Sequence, residues 1–304
     1  MNTLRTGLSW LCVSSALVGM SACSQTSSAA ETPTSQAAVT TSAVVTTVAP
    51  TTTLPATTTE APTTTEAPTT TAGPTTTEAP TTTLDPKVQI VGTAPIPIKP
   101  LGRSNGPDTV VLQDRLTQLG FWTGLSDGQY GFATLQAVMA FQKYLSLPTD
   151  GRVDQLTADW LTGFTEKVRG RADSGTLVEV DKGRQLLFLV VDGTTLWAFN
   201  TSTGSEVPYE AINKKDPTKV EKGDSVTPSG LWEVTRERPD GWWDGDLGQI
   251  YRPKYFIGGV AIHGMTSVPN YPASHGCVRV STQAMDFIWD TGLVPVGSPV
   301  WVHE

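Results

Sequence analysis

A six-residue repeat without any aromatic residue limits what the N-terminal part of this 304-residue chain can form. Residues 24–100 consist mainly of Thr, Ala, Pro and Glu, with Thr-Thr-Thr-Glu-Ala-Pro as the repeated unit. Complete copies lie at 57–62, 63–68 and 75–80. This composition cannot bury enough apolar surface to offset the entropy lost on ordering. We therefore predict a disordered Thr/Pro/Ala-rich linker over residues 23–104, which its prolines extend into a long tether.

Residues 1–22 have the pattern of an export signal. Arg5 precedes an uncharged apolar run that ends at Met20 and is shorter than the ~20 residues that span a bilayer. The small residues before Cys23 resemble a bacterial lipoprotein cleavage site, which implies lipidation of Cys23. Ordinary signal cleavage nearby, with Cys23 incidental, is the alternative. We expect an exported protein of the bacterial cell envelope, anchored by lipid to the outer face of the cytoplasmic membrane and reaching into the cell wall.

Charge and cysteine content narrow the classes of function. The chain carries 29 acidic against 21 basic residues, which argues against nucleic acid as a partner because such binding requires a basic face. Of the three cysteines, Cys12 and Cys23 lie in or beside the export signal, so Cys277 is the one thiol of the folded part. An unpaired cysteine in an exported protein is either a reactive thiol or a buried apolar residue.

Residues 105–167 carry three apolar stripes at helical spacing. The first stripe is ended by Gly120, the second lies within 133–144 and the third within 153–161. A glycine directly after a helix is typical of a helix C-terminus. The pattern predicts a small all-α module of three helices.

The sequence pattern of this module resembles that of the peptidoglycan-binding domain of the three-helix type. The matching segments are Leu112-Gln113, Leu119-Gly120, Gly124 to Gly131, Thr134 to Val138, Phe141-Gln142 and Asp150-Gly151. Most of these residues are typical of core and turn positions. If the module has a groove for glycan or peptide, the loop aromatics Trp122 and Tyr130 are the candidate contacts. None of the three histidines lies in the module, so no metal site is expected there.

From about Ser174 the apolar period changes to two, which predicts β-strands. The predicted strands cover 177–180, 185–191, 194–200, 231–235, 255–263 and 299–303. Residues 282–291 form the one clear helix. The expected fold is therefore multidomain: a disordered Thr/Pro tether, a small all-α three-helix module, and over residues 174–304 a β-rich domain of mixed sheets with one short helix.

The chemistry of this domain is concentrated in His263-Gly264 and Ser274-His275-Gly276-Cys277-Val278-Arg279. The thiolate is the nucleophile in cysteine enzymes, so we expect a base or a positive neighbour to lower the pKa of Cys277. His263 can reach Cys277 only if the intervening loop folds back, which Pro269 and Pro272 permit. At a tight turn, the amides of Gly276 and Cys277 could donate to a developing oxyanion.

This arrangement resembles the L,D-transpeptidase catalytic domain of the YkuD type, whose pattern is His-Gly, a loop, and Ser-x-Gly-Cys-[Val/Ile]-Arg. The resemblance covers about residues 175–304 and includes Ser202-Thr203-Gly204 and Thr227-Pro228-Ser229-Gly230. It implies that Cys277 is the nucleophile and that His263 is the general base and proton donor, oriented by a backbone carbonyl, that of Gly264. It implies supporting roles for Ser274, His275, Gly276 and Arg279, with His275 as the less favoured base.

The resemblance also implies a reaction. The donor is a tetrapeptide stem of peptidoglycan, cut between the diamino acid at position three and the terminal D-Ala. The Cys277 thioester then passes to an amine of a neighbouring stem, which forms a cross-link. No cofactor or metal is implied, because the thioester retains the energy of the broken amide. Carbapenem β-lactams, which acylate this family, are the implied inhibitors.

A Trp-, Asp- and Gly-rich segment over residues 236–252 precedes the predicted strand of His263. It is either a mobile lid over the donor site or a fixed surface loop packed by its own Trp residues. Tyr251 and Tyr255 are candidate substrate contacts.

Other functions remain open from the sequence. A non-catalytic peptidoglycan-anchoring lipoprotein needs only the tether and the helical module, and the presence of both His263 and Cys277 argues against it. Hydrolysis of the same acyl-enzyme by water would make the chain an L,D-carboxypeptidase. The Ser-His-Gly-Cys motif argues against a sortase-like enzyme.

Overall fold

The computed structural model describes residues 87–304. The export signal over residues 1–22, the lipidation predicted at Cys23 and the repeats up to Pro86 lie outside the described residues. Within residues 87–304, no helix is both long enough and apolar enough to cross a membrane.

The N-terminal part of the described chain is helical. Its helices are α1 (Pro107–Gln118), α2 (Phe132–Tyr144) and α3 (Gln155–Gly163). Pro107 lies in the first turn of α1, where its missing N–H is not needed, and Gly120 follows the helix with a φ of +86°. Asp154 caps α3 by accepting a hydrogen bond from the amide of Thr157 at 2.8 Å. The predicted three-helix module is confirmed.

Ordered structure begins earlier in the chain than the sequence predicts. Residues 87–104, assigned to the disordered linker, pack along the helices: the amide of Val91 donates to the carbonyl oxygen of Thr165 at 2.8 Å. Ile98 is buried in the core of the module. The disorder predicted for residues 87–104 is therefore wrong, because the Thr-rich composition ends at Pro86 and apolar side chains return directly after it.

Two buried glutamines hold the Asp-Gly turns of the module in the same way. The Oε1 of Gln113 accepts from the amide of Gly128 at 2.9 Å, and its Nε2 donates to groups within the module. The Oε1 of Gln142 accepts from the amide of Gly151 at 2.9 Å, and its Nε2 also donates within the module. Gly128 and Gly151 have φ of +77° and +68°, a left-handed conformation that favours glycine.

The rest of the described chain contains twelve strands and one helix. The strands are β1 (Leu177–Asp181), β2 (Leu186–Val191), β3 (Thr194–Asn200), β4 (Tyr209–Ile212), β5 (Val220–Gly223), β6 (Gly230–Glu233), β7 (Arg236–Glu237), β8 (Trp242–Gly245), β9 (Gly248–Ile257), β10 (Val260–Met265), β11 (Val278–Ser281) and β12 (Pro299–His303). Helix α4 (Thr282–Asp290) directly follows β11.

These strands form two main sheets and a separate hairpin. The first sheet has the order β3-β2-β1-β12-β6, and the second has the order β11-β10-β9-β7 with β8 also paired to β9. Strands β4 and β5 form the hairpin. The pairs β1–β12 and β10–β11 are parallel and the other pairs are antiparallel. The predicted β-rich fold of mixed sheets with one short helix is confirmed.

Strand β2 separates two apolar cores, because successive side chains of a strand point to opposite faces. Phe188 joins the core of the three helices, whereas Leu187 and Leu189 join a second core with β10, β11 and α4. The two parts are also joined through the backbone, since the amide of Ala198 donates to the carbonyl oxygen of Gly120 at 2.8 Å. The helical module and the β-rich domain therefore form one packed unit.

The strand predicted over residues 255–263 is wrong as a single element. Gly258 and Gly259 form a turn that separates β9 from β10, with a φ of +52° at Gly258. Strands β4, β5 and β8 have no counterpart in the prediction. Their side chains are exposed or half-buried, so their sequences lack the apolar alternation from which strands are predicted.

Candidate active site

Parallel pairing of β10 with β11 brings the two predicted catalytic side chains into one cleft. His263 lies on β10 opposite Arg279 of β11, and Cys277 directly precedes β11. The loop over residues 266–273 returns the chain between them, as the sequence predicts. The cleft has a volume of about 730 Å³, and all three side chains line it.

His263 is held in its neutral form. Its ring is buried, and Nδ1 lies 3.0 Å from the carbonyl oxygen of Gly264, the contact that the family resemblance implies. A carbonyl oxygen can only accept, so Nδ1 carries the hydrogen and Nε2 keeps a free lone pair. Burial lowers the pKa of His263 to about 4; the Gly264 contact opposes this shift and the charge of Arg279 adds to it. At neutral pH the imidazole can therefore accept a proton.

Cys277 is half-buried, and it is the one free thiol of residues 87–304. Burial raises its pKa, while a hydrogen bond from the backbone of Ala261 and the charge of Arg279 act in the opposite direction. The expectation of a lowered pKa for this thiol is therefore wrong, because desolvation outweighs both stabilising contacts. The Sγ hydrogen bond goes to the carbonyl oxygen of Gly259 at 3.8 Å. Cys277 and His263 thus form a neutral thiol and imidazole at rest.

A tight turn presents the thiol to the cleft. Ser274 Oγ donates to the carbonyl oxygen of Cys277 at 2.5 Å and accepts from the amide of Gly276 at 3.0 Å. Gly276 has a φ of +129°, and a Cβ there would lie 2.8 Å from the carbonyl oxygen of Val226, so only glycine fits. Since the Gly276 amide is already bonded, the expected pair of oxyanion donors is reduced to the amide of Cys277.

Thr227 holds this turn from the opposite side. Its buried hydroxyl donates to the carbonyl oxygen of Gly276 at 2.7 Å and accepts from the amide of Gly204 at 2.8 Å. The sequence alone indicates no individual role for Thr227 or Gly204. Their occurrence in the two additional segments that resemble the family was the available signal.

Arg279 and His275 each lie two residues from Cys277 in the sequence, but they differ in exposure and in their contacts. Burial lowers the pKa of Arg279, and its Nε is buried without a hydrogen-bond partner among the described residues. An arginine remains charged at neutral pH, so it supplies a positive charge at the cleft. His275 is exposed, and its ring lies 4.5 Å from that of Tyr209. Burial, followed by the charge of Arg279, lowers the pKa of His275.

Comparison with known proteins agrees with this geometry. Residues 175–302 match the family of L,D-transpeptidase catalytic domains, and residues 105–161 match a peptidoglycan-binding domain family. The crystal structure of an L,D-transpeptidase from Xylanimonas cellulosilytica is 42% identical, covers 69% of this chain and 99% of its own, and superposes with a TM-score of 0.60. This chain belongs to the L,D-transpeptidase family.

Curated relatives match this chain over a shorter stretch. A spore cortex-lytic enzyme of Bacillus cereus is 37% identical over 73 residues, which is 24% of this chain and 28% of that protein. The N-acetylmuramoyl-L-alanine amidase CwlM of Mycobacterium tuberculosis is 40% identical over 65 residues, which is 21% of this chain and 16% of that protein. The chain thus spans 28% of the length of the spore cortex-lytic enzyme and 16% of that of the amidase.

The two tyrosines predicted as substrate contacts differ in position. Tyr255 lines the cleft, with the guanidinium carbon of Arg236 lying 4.0 Å from its ring centroid. Tyr251 does not line the cleft: its hydroxyl donates to Asp286 at 2.9 Å and its ring packs against Gly264. Tyr251 and Tyr255 lie four positions apart on β9, and the irregular β9–β10 register between them lets the two side chains face different surroundings. Contact of Tyr251 with substrate stays a prediction.

The two aromatic residues predicted as contacts in the helical module have packing roles. Trp122 lies 5.3 Å from the ring of Phe287 and 5.8 Å from that of Phe199, at the junction with the β-rich domain. Tyr130 packs against the core of the module, and its hydroxyl donates to the carbonyl oxygen of Gly151 at 2.9 Å. Both side chains therefore have packing roles in the structure, and contact of either residue with glycan or peptide stays a prediction.

The segment over residues 236–252 forms β7, β8 and the first half of β9, so it is a hairpin rather than an irregular loop. Trp243 and Asp246 of this hairpin line the cleft. The opposite hairpin, β4–β5, reaches it at one point: the amide of Lys214 donates to the carbonyl oxygen of Asp246 at 2.7 Å, and Lys215 lies 3.4 Å from the Asp246 carboxylate. The two hairpins therefore meet across the cleft. Among residues 87–304, no cluster of three or more His, Cys, Asp or Glu is arranged to hold a metal.

Proposed function

We propose that this L,D-transpeptidase cross-links peptidoglycan through an acyl-thioester on Cys277. The observation that carries the proposal is the Nδ1–Gly264 contact of His263, which leaves Nε2 as a proton acceptor in the cleft that holds the thiol. The peptidoglycan-binding domain match supports peptidoglycan as the substrate.

The first step forms the acyl-enzyme. Sγ of Cys277 turns from the Gly259 carbonyl and attacks the carbonyl carbon of residue three of the donor stem, while its proton passes to Nε2 of His263. The carbonyl oxygen becomes an oxyanion and accepts from the Cys277 amide. When the C–N bond breaks, His263 returns the proton to the departing nitrogen. The products are free D-Ala and the thioester.

The second step transfers the acyl group. An amine of a neighbouring stem attacks the thioester carbonyl and gives its proton to His263. The C–S bond then breaks, and the proton passes from His263 to the sulfur. Because both partners are neutral at rest, the pair begins and ends each cycle without net charge.

The proposal is tested with the full chain and a defined disaccharide-tetrapeptide, analysed by mass spectrometry. The expected product is a dimer that has lost one D-Ala for each cross-link formed. This dimer should be absent for Cys277→Ala. Release of D-Ala without a dimer would mean that water, and not an amine, accepts the acyl group, which would make the chain an L,D-carboxypeptidase. A carbapenem is expected to add its mass to Cys277. Absence of both products and adduct would leave only the anchoring function.

For the N-terminus, we propose export and lipid attachment at Cys23, which would hold the enzyme at the outer face of the cytoplasmic membrane. The supporting observation is the position of Cys23 directly after the apolar run. Labelling with a radioactive fatty acid should mark the full chain and not Cys23→Ser. Equal labelling of both would exclude this site.

A further inference from the structure

Helix α2 of the helical module is bonded to the loop that joins His263 to Cys277. Gln136 donates through Nε2 to the carbonyl oxygen of Val268 at 3.2 Å, and its Oε1 accepts from Asn200 Nδ2 at 2.6 Å. Asn200 also donates to the carbonyl oxygen of Val268, at 3.3 Å. Gln136 and Asn200 are buried, and Asn200 Oδ1 has no partner among the described residues. Their Nε2 and Nδ2 donors are paired, and because an unpaired buried donor is costly, these bonds favour one position of the loop.

Two further contacts join the module to the catalytic region. Asn270 of the same loop donates through Nδ2 to the carbonyl oxygen of Thr149, in the turn after α2. Lys143, buried near the end of α2, donates to the carbonyl oxygen of Thr201 at 3.0 Å. The hydroxyl of Thr201 in turn donates to the carbonyl oxygen of Arg279 at 2.7 Å. The module therefore contacts both the loop and the strand that follows the nucleophile.

The loop depends on these outside contacts. Pro269 and Pro272 lack an amide N–H, so neither can donate a backbone hydrogen bond. The second half of the loop is held by Ser202, whose hydroxyl donates to the carbonyl oxygen of Tyr271 at 2.8 Å. The first half is held at the carbonyl oxygen of Val268, by Gln136 of the module and by Asn200 of β3.

We propose that the helical module positions the catalytic loop and that Gln136 is a positioning residue for acylation of Cys277. This inference rests on the proposed function for the identity of the reaction. It gives the module a role within the catalytic centre, in addition to any contact with the wall. A displacement of ~1 Å at a reacting group can cost ~10²-fold in rate, so a small shift of this loop would be measurable.

The test compares the steady-state kinetics of full-chain variants on the disaccharide-tetrapeptide donor. Gln136→Glu keeps the size of the side chain and the acceptor for Asn200. It places a carboxylate oxygen, which cannot donate, against the carbonyl oxygen of Val268. We expect kcat to fall by about tenfold or more, because the loop shifts. KM is expected to change by less than about twofold, because no group that binds substrate is removed.

Gln142→Ala is the matched control. Gln142 is a buried amide on the same helix, and its hydrogen bonds stay within the module. It is expected to lower the Tm at least as much as Gln136→Glu does, and to leave kcat unchanged at a temperature where both variants are folded. This separates positioning of the loop from the stability of the module.

Full activity of Gln136→Glu, or an equal loss of kcat in Gln142→Ala, would overturn the positioning role. Carbapenem acylation of the unmodified chain is measured in parallel. If Cys277 is acylated while Gln136→Glu keeps full activity, the positioning role alone fails. If Cys277 is not acylated in the unmodified chain, the proposed function fails.

Discussion

The Asp-Gly turns of the helical module and the turn that carries Cys277 use the same device to different ends. In both regions a buried side chain hydrogen-bonds the backbone of a glycine with positive φ: Gln113 does so at Gly128, and Thr227 does so at Gly276. In the module, the remaining hydrogen bonds of Gln113 also go to residues of the module. In the catalytic turn the next residue presents a thiol to an open cleft. We call each of these side chains, Gln113 and Thr227, the clamp of its turn. A clamp fixes the backbone at the glycine, whereas the chemistry of the turn depends on the side chain next to that glycine.

The largest expected effect separates the two histidines of the cleft. His263→Ala should lower the rate of Cys277 acylation by about 10³-fold, within the ~10²–10⁴-fold that a general base supplies. His275→Ala is the matched control and should change the rate little, because this exposed ring contacts Tyr209. Rapid-mixing measurements of carbapenem acylation give both rates. Equal losses would remove the distinction between the two residues.

The pH dependence of acylation provides a second test of the catalytic turn. With the pKa of His263 lowered to about 4, the rate should fall about tenfold per pH unit below that value, as the base is protonated. Since the folded pKa lies below the ordinary 6.5, the contribution of His263 to stability is complete above pH 6.5 and is lost as pH falls through about 4. Stopped-flow rates and urea unfolding at each pH check both trends. A rate that instead falls as pH drops through 6.5 would contradict a buried neutral base.

A smaller effect is expected from the clamp of the catalytic turn. Thr227→Val keeps the shape of the side chain and removes the bonds to Gly276 and Gly204. We expect kcat to fall by about 10- to 100-fold, because each buried group left unpaired costs ~1–3 kcal/mol and the turn shifts to relieve it. Ser229→Ala, in the same segment, loses only an exposed contact with Glu304 and should keep full activity. Equal kcat in both variants would show that the clamp is not needed.

The smallest effect on activity is expected from the corresponding clamp of the module. Gln113→Ala should lower the free energy of unfolding by about 1–3 kcal/mol, because the buried amide of Gly128 loses its acceptor. The value of kcat should not change. Urea unfolding and steady-state kinetics measure the two quantities. A loss of kcat without a loss of stability would mean that the two kinds of turn do not differ as described.

The sequence predicts elements well where apolar periodicity or a special residue determines the local structure. The three helices follow from their apolar stripes, and Gly120 ends α1 as predicted. The cleft residues His263 and Cys277 follow from their motif and lie in one cleft. Strand β2 contained a signal that the prediction did not use. Its uninterrupted apolar run, Leu186–Val191, is typical of a strand buried on both faces, which is how it joins the two cores.

Features that arise only from the packed structure could not be predicted in this way. The pKa of Cys277 depends on how far burial outweighs Arg279 and the Ala261 amide, and sequence does not reveal that balance. Trp122 looked like a ligand contact because it lies in a loop, but that loop is covered by the β-rich domain. The bond from Gln136 to Val268 joins residues 132 positions apart, and no local pattern predicts it.

The raised pKa of Cys277 bears on the lifetime of the protein. Peroxides and disulfides react with thiolates far faster than with protonated thiols. At the exported location proposed above, no glutathione pool would reverse such damage. Desolvation of the sulfur disfavours the thiolate and so lowers this reactivity, and in the proposed mechanism Cys277 becomes strongly nucleophilic only while its proton passes to the imidazole of His263.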